Sequence, residues 1–80
     1  MAIYIPIRKV REDGDSVVYR FGDDRDTRWG VLSLDKRSGE VTIVEPAPGD
    51  ESKFLSGRAS RKVFLNWKEG KFPDETCWAS

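Results

Sequence analysis

The sequence predicts an α+β domain: a four-stranded antiparallel meander sheet with one C-terminal helix packed on one face. Three observations carry that reading. Apolar residues alternate with other types at period two through the first 45 residues. Clusters of Gly, Asp and Ser cut the alternation into four runs. Beyond Pro46-Ala47-Pro48-Gly49 the period changes, and Leu55, Ala59, Val63 and Trp67 recur every four residues, which is one stripe of a helix.

The first run places a strand over residues 3–10, where Ile3, Ile5 and Ile7 alternate with Tyr4, Pro6 and Arg8. Pro6 has no N–H to donate, so this strand belongs at a sheet edge or has one end outside the ladder. Val10 breaks the phase, as a bulge or the strand's end does. Glu12-Asp13-Gly14-Asp15 forms a turn, and Val17, Tyr19 and Phe21 mark a second strand over 16–22. After a polar loop, a third strand over 28–34 carries Leu32 and Leu34 on one face and Trp29 and Val31 on the other. Apolar weight on both faces is the pattern of a central strand. Asp35-Lys36-Arg37-Ser38-Gly39 reads as a type I turn closed by a left-handed glycine. Val41 and Ile43 continue a fourth strand over 40–45.

The helix is expected over residues 52–69, with Asp50 as its N-cap and Glu51 in its first turn, where the dipole favours an anion. Gly57 costs about 1 kcal/mol against alanine and predicts a start that is irregular or firms up only after it. Gly70 is placed as the C′ residue, with Pro73 beyond it. Residues 70–80 are expected to be a short tail. The sheet face away from the helix holds some of Tyr4, Val18, Trp29 and Val44, with nothing to cover it.

With 80 residues the chain is a single domain, 1–80. A domain of this size buries only roughly 60% of its unfolded surface. One cysteine and no histidine exclude an internal disulfide and a structural zinc site. No run approaches the ~18 apolar residues of a membrane span, so no membrane partner is expected. The Met1-Ala2-Ile3-Tyr4 start lacks the pattern of a signal peptide, which makes the expected location cytoplasmic. No metal, no cofactor and no catalytic residue is expected. Histidine-based nucleophilic catalysis is excluded, Cys77 has no built-in base, and no glycine-rich phosphate loop is present.

The formal net charge is zero, from 14 basic and 14 acidic residues, which argues against a general polyanion binder and makes nucleic acid a poor partner. The charge is unevenly spread along the chain. Glu12 to Asp26 holds six acids and two bases, net −4, and Lys53 to Lys71 holds six bases and one acid, net +5. Asp13, Asp15, Asp23, Asp24 and Asp26 are therefore the candidate contacts for a basic protein partner. Against this stands the plainer reading of a solvated turn and loop. Arg58, Arg61 and Lys62 are the alternative, as phosphate contacts of a small nucleic-acid-binding module in which an exposed aromatic such as Trp29 stacks on bases. Their plainer reading is a solvated helix face. Three tryptophans are many for this length. Trp67 falls on the helix stripe and reads as core. Trp29 and Trp78 are either cover for a small core or anchors at an interface.

The run Trp67-Lys68-Glu69-Gly70-Lys71-Phe72-Pro73, followed by Thr76-Cys77-Trp78-Ala79-Ser80, resembles the ending of small uncharacterised bacterial proteins of about this length. Ser38-Gly39-Glu40 and Glu45-Pro46 fit the same resemblance. Such proteins are similar in size and layout to the immunity proteins paired with bacterial polymorphic or contact-dependent toxins. The resemblance implies a non-enzymatic, cytoplasmic inhibitor that binds and occludes a toxin encoded nearby. Immunity proteins share a role and not a motif, so no binding residue is carried over. The remaining alternative is a homodimeric accessory subunit whose second copy closes the uncovered sheet face.

Overall fold

A computed structural model of the chain describes residues 4–22, 28–50 and 53–79. The elements run β1 (Tyr4–Glu12), β2 (Ser16–Gly22), β3 (Trp29–Asp35), β4 (Val41–Glu45), α1 (Phe54–Lys68) and β5 (Glu75–Ala79). They form one antiparallel sheet in the order β4-β3-β2-β1-β5, with α1 on one face. The expected meander and helix are present. The count of strands is corrected from four to five, because the segment expected to be a tail pairs with β1 from Tyr4↔Ala79 to Arg8↔Glu75. The helix therefore carries the chain from one edge of the sheet to the other.

Strand β5 also moves β1 away from the edge. Pro6 is tolerated there because the ladder with β2 begins one residue later, at Ile7↔Phe21. The phase break at Val10 is a bulge, with the register shifting between Lys9 and Arg11. The turn after β3 is as expected. The Gly39 N–H donates to the Asp35 carbonyl at 2.8 Å, and Gly39 has φ +77°.

The core lies between the helix stripe and the inward side of the sheet. Ile5, Ile7, Val17, Tyr19, Phe21, Leu32 and Leu34 meet Leu55, Ala59 and Val63, all buried. Trp67 is half-buried against this cluster, and its indole N–H donates to the Lys36 carbonyl at 2.7 Å. Tyr19 is buried with its hydroxyl donating to the Pro73 carbonyl at 2.9 Å, which ties the segment after α1 to the sheet. Burial pushes the Tyr19 phenol above its ordinary range.

The helix ends are built by separate devices. The residue in N-cap position is Lys53, with φ +59°, and not Asp50. Asp50 nevertheless caps from three residues earlier, its two carboxylate oxygens accepting from Leu55 N–H and Ser56 N–H at 3.0 Å each. Glu51 lies outside the described residues. At the other end Lys71 N–H donates to the Asn66 carbonyl and Gly70 N–H to the Trp67 carbonyl, both at 2.9 Å, with Gly70 at φ +71°. That pair of bonds is a Schellman motif. Gly57 sits in the helix interior, and a Cβ added there meets nothing within 4 Å. Gly57→Ala is therefore expected to raise stability by about 1 kcal/mol, the propensity difference, in a urea titration with unchanged slope. Among the described residues no helix is long and apolar enough to cross a membrane.

Candidate functional site

The sheet face turned away from α1 is the face on which Trp29, Val31, Arg20, Arg8 and Pro6 fall, as their cross-strand pairings require. Among the described residues no element covers it. Its two ends differ in charge. At one end Arg8 and Arg20 are direct cross-strand partners, and Arg11 pairs with Val18 one step along. Two like charges opposite each other destabilise a ladder. Here the Trp29 ring relieves them, with the Arg20 guanidinium 4.6 Å and the Arg8 guanidinium 5.7 Å from the ring centroid. The ring holds this position because its neighbour across the ladder is Gly22. A Cβ at Gly22 would lie 2.8 Å from Trp29 Cδ2 and Cε3, so the indole rests over the glycine backbone. Trp29 stays half-exposed and Tyr4 is 50% exposed at the same end.

The other end is a shallow acidic hollow of about 320 Å³ lined by Asp15, Ser16, Ser33, Asp35, Glu40 and Thr42. Asp35 accepts from Arg37 N–H at 2.8 Å. Arg37 approaches Asp15 to 3.3 Å between largely exposed side chains. Between the two ends Val18 is buried, only 8% exposed, beside its exposed cross-strand partner Arg11.

Of the acidic segment, Glu12, Asp13 and Asp15 fall among the described residues. Glu12 is bound by Lys36 at 2.7 Å and by Lys9 at 2.5 Å. The Asp13 carboxylate accepts from Asp15 N–H and Ser16 N–H, both at 2.8 Å, and so builds its own turn. Two of these acids, Glu12 and Asp15, thus meet three bases: Lys9 of the same strand, and Lys36 and Arg37 from the β3–β4 turn. Asp23, Asp24 and Asp26 lie outside the described residues. Lys36 and then Lys9 hold the Glu12 carboxyl below the usual carboxylate range, and the turn N–H groups do the same for Asp13. A depressed carboxyl stabilises the fold above its unfolded value, about 4.3, and that contribution is lost as pH falls through the folded value. Glu12→Gln is accordingly expected to flatten the acid limb of a stability-against-pH profile, and to change the alkaline limb too, because Glu12 is the main group that raises Lys9 above its ordinary value.

The remaining candidates are not assembled with Trp29. Arg58 lies over the Phe54 ring at 3.8 Å, on the helix and therefore on the other side of the sheet. Arg61 is exposed and Lys62 half-buried on the same helix. Trp78 pairs with Ile5 on the helix side and packs against the core, with its indole N–H buried and unpartnered among the described residues. Cys77 pairs with Pro6 and is half-buried. The open-face residues that sequence reasoning missed are Arg8, Arg11 and Gly22. Once the hairpin register is fixed, the alternation of Tyr4, Pro6 and Arg8 on one side of β1 is the signal for them. No family model matches the chain, and no curated protein or solved structure matches it.

Proposed function

We propose that the chain is a non-enzymatic protein-binding module that works through its open sheet face, and that its role is that of an immunity-type inhibitor occluding a cognate bacterial toxin. The observation that supports a binding surface is the position of Trp29, half-exposed on an uncovered face between Arg8 and Arg20. Tryptophan and arginine are the residue types that most often dominate interface energetics. A face with a basic-aromatic end and an acidic end discriminates between protein partners by charge pattern. Phosphate chains suit it poorly, since Glu75 stands beside Arg8 and Glu45 beside Val31 at its two margins. The immunity role draws its support from the resemblance of the tail and from the small size of the chain.

Co-expression with a toxin domain encoded next to this chain tests the reading. The expected result is a one-to-one complex that neutralises the toxin and is weakened at least tenfold by Trp29→Ala, the loss of one central anchor. A neighbour that is neither bound nor neutralised overturns the immunity role. A complex that Trp29→Ala leaves unchanged overturns the assignment to this face.

A further inference from the structure

We propose that the outward side of α1 is a docking surface for an acidic amphipathic helix of a protein partner, separate from the open sheet face. Two independent observations carry this. The first is charge without local compensation. α1 contains Arg58, Arg61, Lys62 and Lys68 and no acid, and Lys53 and Lys71 flank it. None of these six bases has an ion pair among the described residues. Glu69 is the one acid from Lys53 to Lys71. In the sheet layer, by contrast, Lys9, Lys36 and Arg37 each meet a carboxylate. The second observation is Gly57. It costs about 1 kcal/mol against alanine in mid-helix. The fold gives no reason for it, since its φ is not positive and an added Cβ meets nothing within 4 Å. An exposed position without a side chain is a notch through which a second backbone comes close. Phe54 and Arg61 stand one turn to either side of it, and Leu65 and Lys68 continue the line. All five are exposed, so α1 carries a second stripe at helical spacing on the side away from the core.

The order of that stripe, apolar, small, basic, apolar, basic, is met by a helix offering apolar and carboxylate side chains at the same spacing. The aromatic rings favour carboxylates over bases or lipid. Arg58 lies 3.8 Å over the Phe54 ring and Lys68 5.7 Å over the Phe64 ring. A ring holding its own cation on one face is not free to stack on a base there, nor to enter acyl chains without carrying charge along. A guanidinium held over a ring keeps its N–H edges for a carboxylate. Size sets the strength. A helix of 15 residues is about 22 Å long and about 10 Å wide, a footprint of roughly 220 Å². That is far below the ~800 Å² a side of a standard specific interface, so the complex is weak, rapidly exchanging and salt-sensitive.

The probe is a synthetic helical peptide of about 18 residues, with leucine along one stripe and glutamate on both sides of it. It is titrated into the isotope-labelled full chain at ~150 mM salt, and amide NMR shifts report where it binds. The expected result is a set of shifts centred on Phe54, Gly57, Arg61, Leu65 and Lys68, with the strands unmoved. Arg58→Glu with Arg61→Glu is expected to weaken binding at least about tenfold. Gly57→Gln changes no charge and favours the helix, and by filling the notch it is expected to weaken binding at least about fivefold. The spectra of both variants show whether they are folded. Absence of shifts up to about 1 mM peptide overturns the proposal, since even a weak specific contact is seen there. Shifts on the strands, or equal binding of a peptide with glutamine in place of glutamate, also overturn it. Binding indifferent to Gly57→Gln overturns it as well, because a solvated cationic helix would respond to charge alone. A single-stranded oligonucleotide or phosphatidylserine vesicles that bind more tightly than the peptide assign the stripe to nucleic acid or membrane instead. Trp29→Ala is expected to leave peptide binding unchanged, so this surface and the toxin-binding reading of the open face stand or fall separately.

Discussion

Replacing Gly39 by alanine is expected to cost about 3 kcal/mol, read as a fall in the urea midpoint without a change in slope. Two separate effects add. Gly39 has φ +77°, where an L side chain costs about 1 kcal/mol. A Cβ there would also lie 2.5 Å from Trp67 Cζ3 and 2.7 Å from Cε3. The turn backbone is fixed by its bonds to Asp35, so the indole must move. Moving it draws the Trp67 N–H away from the Lys36 carbonyl it meets at 2.7 Å and opens the packing against the core. Off-rotamer adjustment and lost contact of this kind cost about 1–3 kcal/mol. The two effects separate in a Trp67→Ala background. There the added methyl meets no ring, and Gly39→Ala should cost only the backbone share, about 1 kcal/mol. Equal costs in both backgrounds would show that the turn geometry alone matters and that Trp67 does not press on it.

The same contact shows what the sequence makes legible and what it hides. Asp35–Gly39 is readable as a turn because aspartate and glycine occupy the positions where their local chemistry is needed. That Gly39 lies under Trp67 is not readable, because the approach depends on how α1 crosses the sheet. The meander strands and the helix stripe announce themselves by local period. Strand β5 does not. Glu75-Thr76-Cys77-Trp78-Ala79 is short and carries little alternation, and it becomes a strand only because β1 offers it an edge. Of the two places Pro6 allows for its strand, a sheet edge or one end outside the ladder, the second holds, since the ladder with β2 begins at Ile7 while the β5 side is paired.

A count along the chain does not show which charges meet in space. The acids from Glu12 to Asp15 form a run in sequence. In space they share one end of the sheet with Lys9, Lys36 and Arg37. Lys36 reaches there because the β3–β4 turn abuts the β1–β2 turn, its N–H donating to the Asp15 carbonyl at 2.9 Å. Conversely, Arg8, Arg11 and Arg20 are scattered among apolar residues in sequence and converge on one face only through the register of β1 and β2. Acids flank them there, Glu75 beside Arg8 and Glu45 beside Val31. Of the two tryptophans set aside as anchors, Trp29 lies on the uncovered face, and Trp78 packs on the helix side. Periodicity alone does not distinguish them.

Gly30→Ala is expected to be as damaging as Gly39→Ala, for a reason that no single second substitution removes. Gly30 is buried in the interior strand β3, directly opposite Phe21. A Cβ there would lie 2.5 Å from Phe21 Cζ, 2.7 Å from Ala47 N and 2.8 Å from the Glu45 carbonyl oxygen. The ring of Phe21, fully buried, fills the space that the missing side chain leaves, so the two residues are one packing unit. Phe21→Ala alone should cost about 3–5 kcal/mol through the cavity it opens. Gly30→Ala alone should cost about 3 kcal/mol, at the upper end for overpacking, because two of the three close contacts are backbone atoms that cannot rotate away. The double variant should cost less than the two single losses together, since the methyl then enters vacated space. It should still fall well short of full rescue, because Ala47 and Glu45 continue to press on the methyl from the chain leaving β4. A cycle of the four proteins in denaturant titrations measures this. A double variant no worse than Phe21→Ala alone would mean that the backbone after β4 yields freely, and that the Pro46–Gly49 segment does not brace the sheet as its contacts imply.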